Sequence, residues 1–463
     1  MNTTDNLKTR KIDITKFIIM SAIGAFLFLV PIPRAEGAAT IPLGIIIGWL
    51  EGQFGRVILI QEFGIQYILM MIAISVSFVG TALAYTIKPN FIMDHPRVKA
   101  VFGASPLYFI SRGIAFIVVW MIFLDMGPNV IMNLITSNTG DVMFGLAAHL
   151  MVLFLVLVPI MPILTSFGLM EFAGILIRKF VRFLFVLPGR ASVNLLASWF
   201  GSSGAGIIIT RDQHEKGFYT GREAAIIATN FCHVSLPFTF VIASTVDVLP
   251  YFGWFYLILC IVCLFLAILM PRIWPLRGLA DNYLEETGKQ IDEQIPEGTS
   301  MFGQALSLAS NKARQTTVKD IVDSSLKVYM EIFMDIIPIL IAWGTLSLII
   351  GEFTPIIDWV SRPMGWYLQL LNVPGALQYA PATLIGFIEM FIPAFVVAEA
   401  PIATRFILGI LSIVQIIYLA ETGSLIIKSR IPLNIGKLFI IFMMRTIIAL
   451  PIIVLLTRLF LNF

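Results

Sequence analysis

The sequence predicts an all-α polytopic membrane protein, an inverted repeat carrying two re-entrant hairpins and two discontinuous transmembrane helices. Three observations carry that expectation. Of 463 residues, 58% are hydrophobic and 13% charged, with a mean hydropathy of +0.91, against about 25% charged in soluble domains. Each half of the chain holds an apolar stretch too short to cross a bilayer, broken at Gly, Ser or Pro. The order of breaks in the first half then recurs in the second, on the opposite side of the charge pattern.

Taken in order, Lys8, Arg10, Lys11 and Lys16 precede an apolar run from Phe17 to Val30. This mimics a signal peptide, but further apolar runs follow, so the reading is a retained first span entering from the cytoplasm. Spans are expected at 17–33, 64–87, 106–124, 143–177, 221–246, 251–270, 328–351, 403–427 and 436–458. The run at 38–50 is too short to span and is expected to lie re-entrant or interfacial. The run at 143–177 is over-long and holds Pro159 and Pro162, which predict a kinked or two-part helix there. Alternating sides from a cytoplasmic N-terminus gathers most Lys and Arg inside, including Lys88, Arg97, Lys99, Arg178, Arg182, Arg211 and Lys216. It leaves Arg34, Arg56, Arg362, Arg405 and Arg458 outside and Arg445 within the last span, as the positive-inside rule requires. The expected location is the bacterial inner (plasma) membrane, multi-pass, with the N-terminus cytoplasmic.

The hairpin signal is sharpest between Pro188 and Pro237. Ala191 to Phe200 is only ten residues, about half a bilayer's requirement. It breaks at Gly201-Ser202-Ser203-Gly204-Ala205-Gly206, continues through Ile207-Ile208-Ile209, and returns to charge at Arg211 to Lys216. The next run, Ala224 to Ile242, carries Asn230, His233 and Ser235 before Pro237, the mark of a discontinuous helix. In the second half Pro374-Gly375 answers Pro188-Gly189, and Pro338-Ile339-Leu340 answers Pro162-Ile163-Leu164. A second short stretch, Ala380 to Val397, holds Gly386, Glu389 and Pro393. The run 403–427 places Gln415, Glu421, Thr422, Gly423 and Ser424 where the first repeat has its polar cluster. The expected organisation is therefore N-terminal scaffold helices at 1–140 and a first repeat at 141–270 with its hairpin at 190–210. A cytoplasmic connector follows at 271–327, including a surface helix, then a second repeat at 328–463 with its hairpin at 376–400.

An ionised carboxylate at the centre of a spanning helix costs about 2.5–3.5 kcal/mol on insertion scales, so Glu421 needs a reason to be there. Glu389 is the other strong case, while Glu171, Glu331 and Glu399 lie nearer boundaries. Desolvation favours proton loading on such a group; the structural alternative is a pair between Glu421 and Arg445 or His233. Gln415, Glu421, Thr422 and Ser424 are expected to line one side of a substrate site and Asn230, His233 and Ser235 the other. Asn194 stands before the first tip, and Ser202, Ser203 and Glu389 close the site from the hairpin tips. A lone His in an apolar helix also serves as a satisfied core residue, and the two serines also suit a tight turn.

The chemistry of enzymes is not legible. Cys232, Cys260 and Cys263 lie in apolar runs, and the four histidines (His95, His149, His214, His233) have no ligand-like spacing. There is no phosphate-cradling Gly-Lys motif, zinc-protease motif or nucleophile signature. The expectation is no enzyme, no resident metal and no cofactor, with Na⁺ or H⁺ entering only as a coupling ion. The net charge of +3 gives no ground for nucleic acid as a partner.

These residues resemble the GATE-domain ("nucleoside recognition") membrane proteins, particularly their YjiH-like branch. The likeness is carried by Pro188-Gly189, the Gly201–Gly206 tip, Asn230 to Pro237, Pro374-Gly375 and Glu421-Thr422-Gly423-Ser424, over roughly residues 140–460. It implies two hairpins and two unwound helices around a midplane site, similar to the concentrative nucleoside transporters, with ion-coupled elevator-type movement. Those transporters carry longer amide and carboxyl side chains near the first tip, where this chain has Ser202 and Ser203. The expected substrate class is accordingly a small polar metabolite: nucleoside-like, an amino acid or a small peptide. The expected function is a secondary active transporter using Na⁺ or H⁺, with the lipid bilayer, the substrate, and a second copy or a second GATE-type membrane protein as partners. The alternative is a membrane assembly or signalling component that keeps the fold without transport.

Overall fold

The computed structural model describes residues 11–30, 32–33, 39–40, 42–54, 58–60, 63–103, 106–136, 139–189, 191–200, 203–232, 236–288 and 300–461. Nearly all of these are helical or in the turns between helices. Two short antiparallel ribbons are the exception, Ile32–Pro33 with Ala39–Thr40 and Ile58–Ile60 with Phe63–Gly64. Between the ribbons runs Pro42–Phe54, a helix of 13 residues and too short to span, as its length in the sequence predicts.

Among the described residues five helices are long and apolar enough to cross a membrane: Ile65–Thr86, Gly140–Thr165, Leu249–Gly278, Val318–Ile350 and Ile435–Phe460. A sixth arises if Tyr108–Leu124 and Asn129–Thr136, bent by 97°, count as one span. The chain is a multi-pass helical membrane protein. Over the first expected span, 17–33, the chain forms the helix Lys11–Leu29, which is not among these five and whose opening turns carry Lys11, Asp13 and Lys16.

The over-long run is two-part, but the prolines are not where it parts. Gly140–Thr165 continues through both Pro159 and Pro162, and the chain turns at Ser166-Phe167-Gly168 before Leu169–Leu176. Gly168 has φ +97°, and a Cβ there would stand 2.8 Å from Ala309 Cα. Only glycine holds that conformation at no steric cost, and the close approach of a distant helix fixes the break there.

That distant helix is Met301–Gln315 in the expected connector. It packs through one face: Ala305, Ala309 and Ala313, four residues apart, are fully buried, while Phe302 and Leu308 are exposed. Small side chains on one face let it lie close against Leu169–Leu176 and Lys11–Leu29. Ser300 caps it by accepting from Gly303 N at 3.1 Å. Lys16 Nζ donates to Thr316 O at 2.7 Å, and Thr316 Oγ1 donates to Ser166 O at 2.7 Å.

The chain forms two compact units, 1–42 with 161–317 and 361–463, and 43–160 with 318–360. Most of Gly140–Thr165 and all of Val318–Ile350 lie in the second unit, and the short helices that follow each of them along the chain, from 169 and from 376, lie in the first. Within the second unit, Val318–Glu331 passes through a π-helical turn, Ile332–Ile336, into Ile337–Phe353. Such a turn frees a carbonyl, and Ser77 Oγ donates to Met334 O at 2.7 Å. Tyr329 Oη to Leu155 O at 2.7 Å and Trp343 Nε1 to Ser111 Oγ at 2.9 Å are further polar ties within that unit.

Candidate functional site

The first compact unit holds both hairpins and both broken helices. Hairpin 1 is Ala191–Phe200 followed by Ser203–Glu215. Its two arms are joined by Asn194 Nδ2 donating to Thr210 Oγ1 at 3.1 Å. Thr210 in turn donates to Gly206 O at 2.7 Å. With its one proton committed, the Thr210 hydroxyl must accept from Asn194, which fixes the amide's orientation. Among the described residues Asn194 Oδ1 is left without a partner although the residue is only 7% exposed. Gly206 lies where a Cβ would press on Ser198 and stand 3.2 Å from Cys232 Sγ, so the returning arm sits tight beside the first helix break.

Hairpin 2 is less regular. Gly375, at φ +67°, starts two single turns, Ala376–Tyr379 and Ala382–Ile385; the chain reverses over 386–391 and returns as Ile392–Val396. Glu389 sits in the reversal, as the sequence reading expects. Its carboxylate accepts from Phe391 N at 2.6 Å and Ile392 N at 3.2 Å, so it organises the tip that carries it.

The first broken helix begins at a capping box. Thr220 Oγ1 accepts from Glu223 N at 3.1 Å while Thr220 N donates to Glu223 Oε2 at 2.8 Å. Gly221–Asn230 ends at the polar residue, and the helix resumes as Leu236–Thr245. The second broken helix is Ile402–Val414, interrupted at 415–418 with Ile416 at φ +61°, resuming as a π turn, Leu419–Gly423, and a short helix, Ser424–Ile427. Thr422 stitches this break: its hydroxyl accepts from Tyr418 N at 3.1 Å and donates to Ile416 O at 3.0 Å. Hairpin 2 reaches the same break, for Leu419 N donates to Phe387 O at 2.8 Å.

Gln415 stands at the break itself, 1% exposed. Its Nε2 donates to Thr383 O and Thr446 Oγ1, both at 2.8 Å. A main-chain carbonyl can only accept, so the amide nitrogen must face Thr383 and Oε1 must face away. Among the described residues that oxygen has no partner, and it lies against Gly386, where a Cβ would collide with it.

Arg445, near the middle of the closing helix Ile435–Phe460, ties the two breaks together and is fully buried. Its Nε and Nη2 donate to Val414 O at 2.9 and 2.7 Å. Its Nη1 donates to Thr229 O at 3.2 Å and to Asn230 Oδ1 at 2.7 Å. Asn230 Nδ2 is held by Ile226 O at 3.1 Å, which orients its oxygen toward the guanidinium. Both carbonyls lie in the last turn of a half-helix, where no intrahelical donor remains.

The structure thus gathers Asn230, Gln415 and Thr422 around the breaks, Glu389 at the tip of hairpin 2, and Asn194 between the arms of hairpin 1. Ser424 opens the short helix after the π turn. Ser202, His233 and Ser235 fall outside the described residues; for Ser203 and Glu421 the backbone is described but not the side chain. Sequence reasoning left Arg445, Thr210, Thr383 and Thr446 out of the site. A lone Arg inside an apolar helix was a signal for the first. Among the described residues no group of three or more His, Cys, Asp or Glu could hold a metal ion.

A family model described as Gate, nucleoside recognition, matches residues 147–248, the stretch that holds hairpin 1 and the first broken helix. The uncharacterized protein BpOF4_10220 of Alkalihalophilus pseudofirmus is 38% identical over 463 residues, covering 99% of this chain and 96% of that protein. A solved structure, that of CNTnw in an inward-facing substrate-bound state, matches 96% of this chain and 99% of its own at 14% identity and a TM-score of 0.42. A likeness that loose carries no argument about function. The family match and the full-length relative carry the assignment: the chain belongs to the Gate, or nucleoside recognition, family of membrane proteins.

Proposed function

We propose that the protein is a secondary active transporter of a small polar metabolite, nucleoside-like, an amino acid or a small peptide, coupled to an ion gradient. The observation that carries this reading is that, among the described residues, Asn194 Oδ1 between the arms of hairpin 1 and Gln415 Oε1 at the second helix break are buried amide oxygens without a partner, in the unit that holds both hairpins and both helix breaks. An unsatisfied buried acceptor costs about 1–3 kcal/mol. Two such acceptors beside broken helices are the expected receivers for N–H or O–H donors of a ligand.

In this reading the hairpins re-enter the bilayer from opposite faces as an inverted repeat. The first compact unit moves in elevator fashion, and the N-terminus lies in the cytoplasm of a bacterial inner membrane. Glu421 is the carboxylate that couples transport to H⁺ or Na⁺, and His233, Ser235, Ser202 and Ser203 complete the binding surface. Differential scanning of the purified protein against nucleosides, amino acids and small peptides tests it. A ligand that stabilises the native state raises the melting temperature with concentration, and in Gln415→Met the same rise should need a higher ligand concentration. A flat response to every class would favour the assembly or signalling role.

A further inference from the structure

We infer that the Arg445 guanidinium is a built-in cation, standing where the ends of the two half-helices would otherwise hold a mobile one. The inference rests on the transporter reading only where it concerns coupling; the geometry stands by itself. In broken transport helices the C-terminal ends of half-helices and the unwound carbonyls are the groups that coordinate Na⁺. Here Gly221–Asn230 and Ile402–Val414 both end at Arg445, through Thr229 O at 3.2 Å and Val414 O at 2.9 and 2.7 Å. Asn230 Oδ1, at 2.7 Å, adds a third oxygen.

The charges close as well. Each helix C-terminus carries roughly −0.5 of an elementary charge, so two ends facing one another balance one positive group. A guanidinium stays protonated throughout the physiological range. Its planar fork spans Val414 on one side and Thr229 with Asn230 on the other, a bridge that an ammonium group could not make in the same plane. The junction is therefore neutral in every step of a transport cycle with no ion drawn from solution. Na⁺ is not co-transported at this point, and coupling falls to a protonatable group, for which Glu421 is the candidate.

Thermal unfolding of the full-length protein, in NaCl against choline chloride at equal ionic strength, tests the inference. Wild type should melt at the same temperature in both salts. Arg445→Ala leaves three oxygens around a cavity, and Na⁺ or about 5 mM guanidinium should raise its melting temperature by at least about 2 °C over choline. If Arg445→Ala does not yield folded protein, Arg445→Gln replaces it with the same expectation, since its amide can reach only one of the two helix ends. A variant indifferent to both ions, or a wild type stabilised by Na⁺ as much as the variant, would overturn the inference. Because the readout needs no substrate, this failure is distinct from a failure to find transport.

Discussion

Gln415→Met separates a role in folding from a role in binding. The substitution withdraws the Nε2 donor from Thr383 O and Thr446 Oγ1, both at 2.8 Å. Leaving a buried carbonyl without its donor costs about 1–3 kcal/mol. Thr446 loses little, since its hydroxyl still donates to Phe442 O at 2.9 Å. The same substitution removes Oε1, an acceptor that has no partner and incurs its own desolvation cost, again about 1–3 kcal/mol. Methionine keeps nearly the same length and fills irregular gaps. The two terms oppose, so stability should change by no more than about 1.5 kcal/mol in either direction. Affinity has no such offset: a substrate donor left facing a thioether loses a hydrogen bond worth about 0.5–1.5 kcal/mol if neutral and 1.5–3 if charged. That is roughly a 2- to 100-fold weaker Kd. Melting curves read the first quantity, and ligand titration by thermal shift reads the second. A variant that melts far below wild type yet binds with unchanged affinity would refute the assignment of Gln415 Oε1 as a substrate acceptor.

Other expectations follow from the same geometry. Gly386 lies in ordinary right-handed backbone, so Gly386→Ala adds no backbone strain, but its methyl collides with Gln415 Oε1, whose amide is held by Thr383 O and Thr446 Oγ1, and both uptake and the melting temperature should fall. Thr422→Val removes the hydroxyl that holds Tyr418 N and Ile416 O; it should cost about 1–3 kcal/mol in a denaturation curve, and Thr422→Ser should restore most of it. Gly168→Ala forces a Cβ into the left-handed region and against Ala309, so the melting temperature should fall by several degrees on a loss of about 1–3 kcal/mol. Glu421→Gln should abolish the pH dependence of uptake; transport with unchanged pH and Na⁺ dependence would remove the coupling role from that residue.

The breaks were legible because polarity inside an apolar run has few uses. Asn230 before Pro237, and Gln415 through Ser424, announced interrupted helices, and the structure ends the first half-helices at Asn230 and Val414. The helical pair Ala191–Phe200 and Ser203–Glu215 was legible from a half-length apolar run, its Gly/Ser break and the charges flanking it. What the sequence could not show were contacts between distant residues. Pro159 and Pro162 drew the expected break toward themselves, whereas the chain turns at Gly168 because Ala309, far along the sequence, comes up against it. The alanine face of Met301–Gln315 does not name its partners, Leu169–Leu176 and Lys11–Leu29, in the sequence. Glu389 looked like a carboxylate in search of a ligand, and the structure spends its Oε2 on the amides of its own turn. Arg445 stood out as a charge in the last span, but its link to Val414 and to Asn230 crosses 31 and 215 residues respectively. No local pattern encodes that link.

Uptake into proteoliposomes tests the central claim most directly. Purified protein would be reconstituted and offered labelled nucleosides, amino acids and small peptides under imposed H⁺ and Na⁺ gradients in turn. The account predicts that at least one small polar compound accumulates above its external concentration under the H⁺ gradient and that Gln415→Met lowers this accumulation. Equal, passive levels of every compound in protein-containing and protein-free vesicles would contradict it.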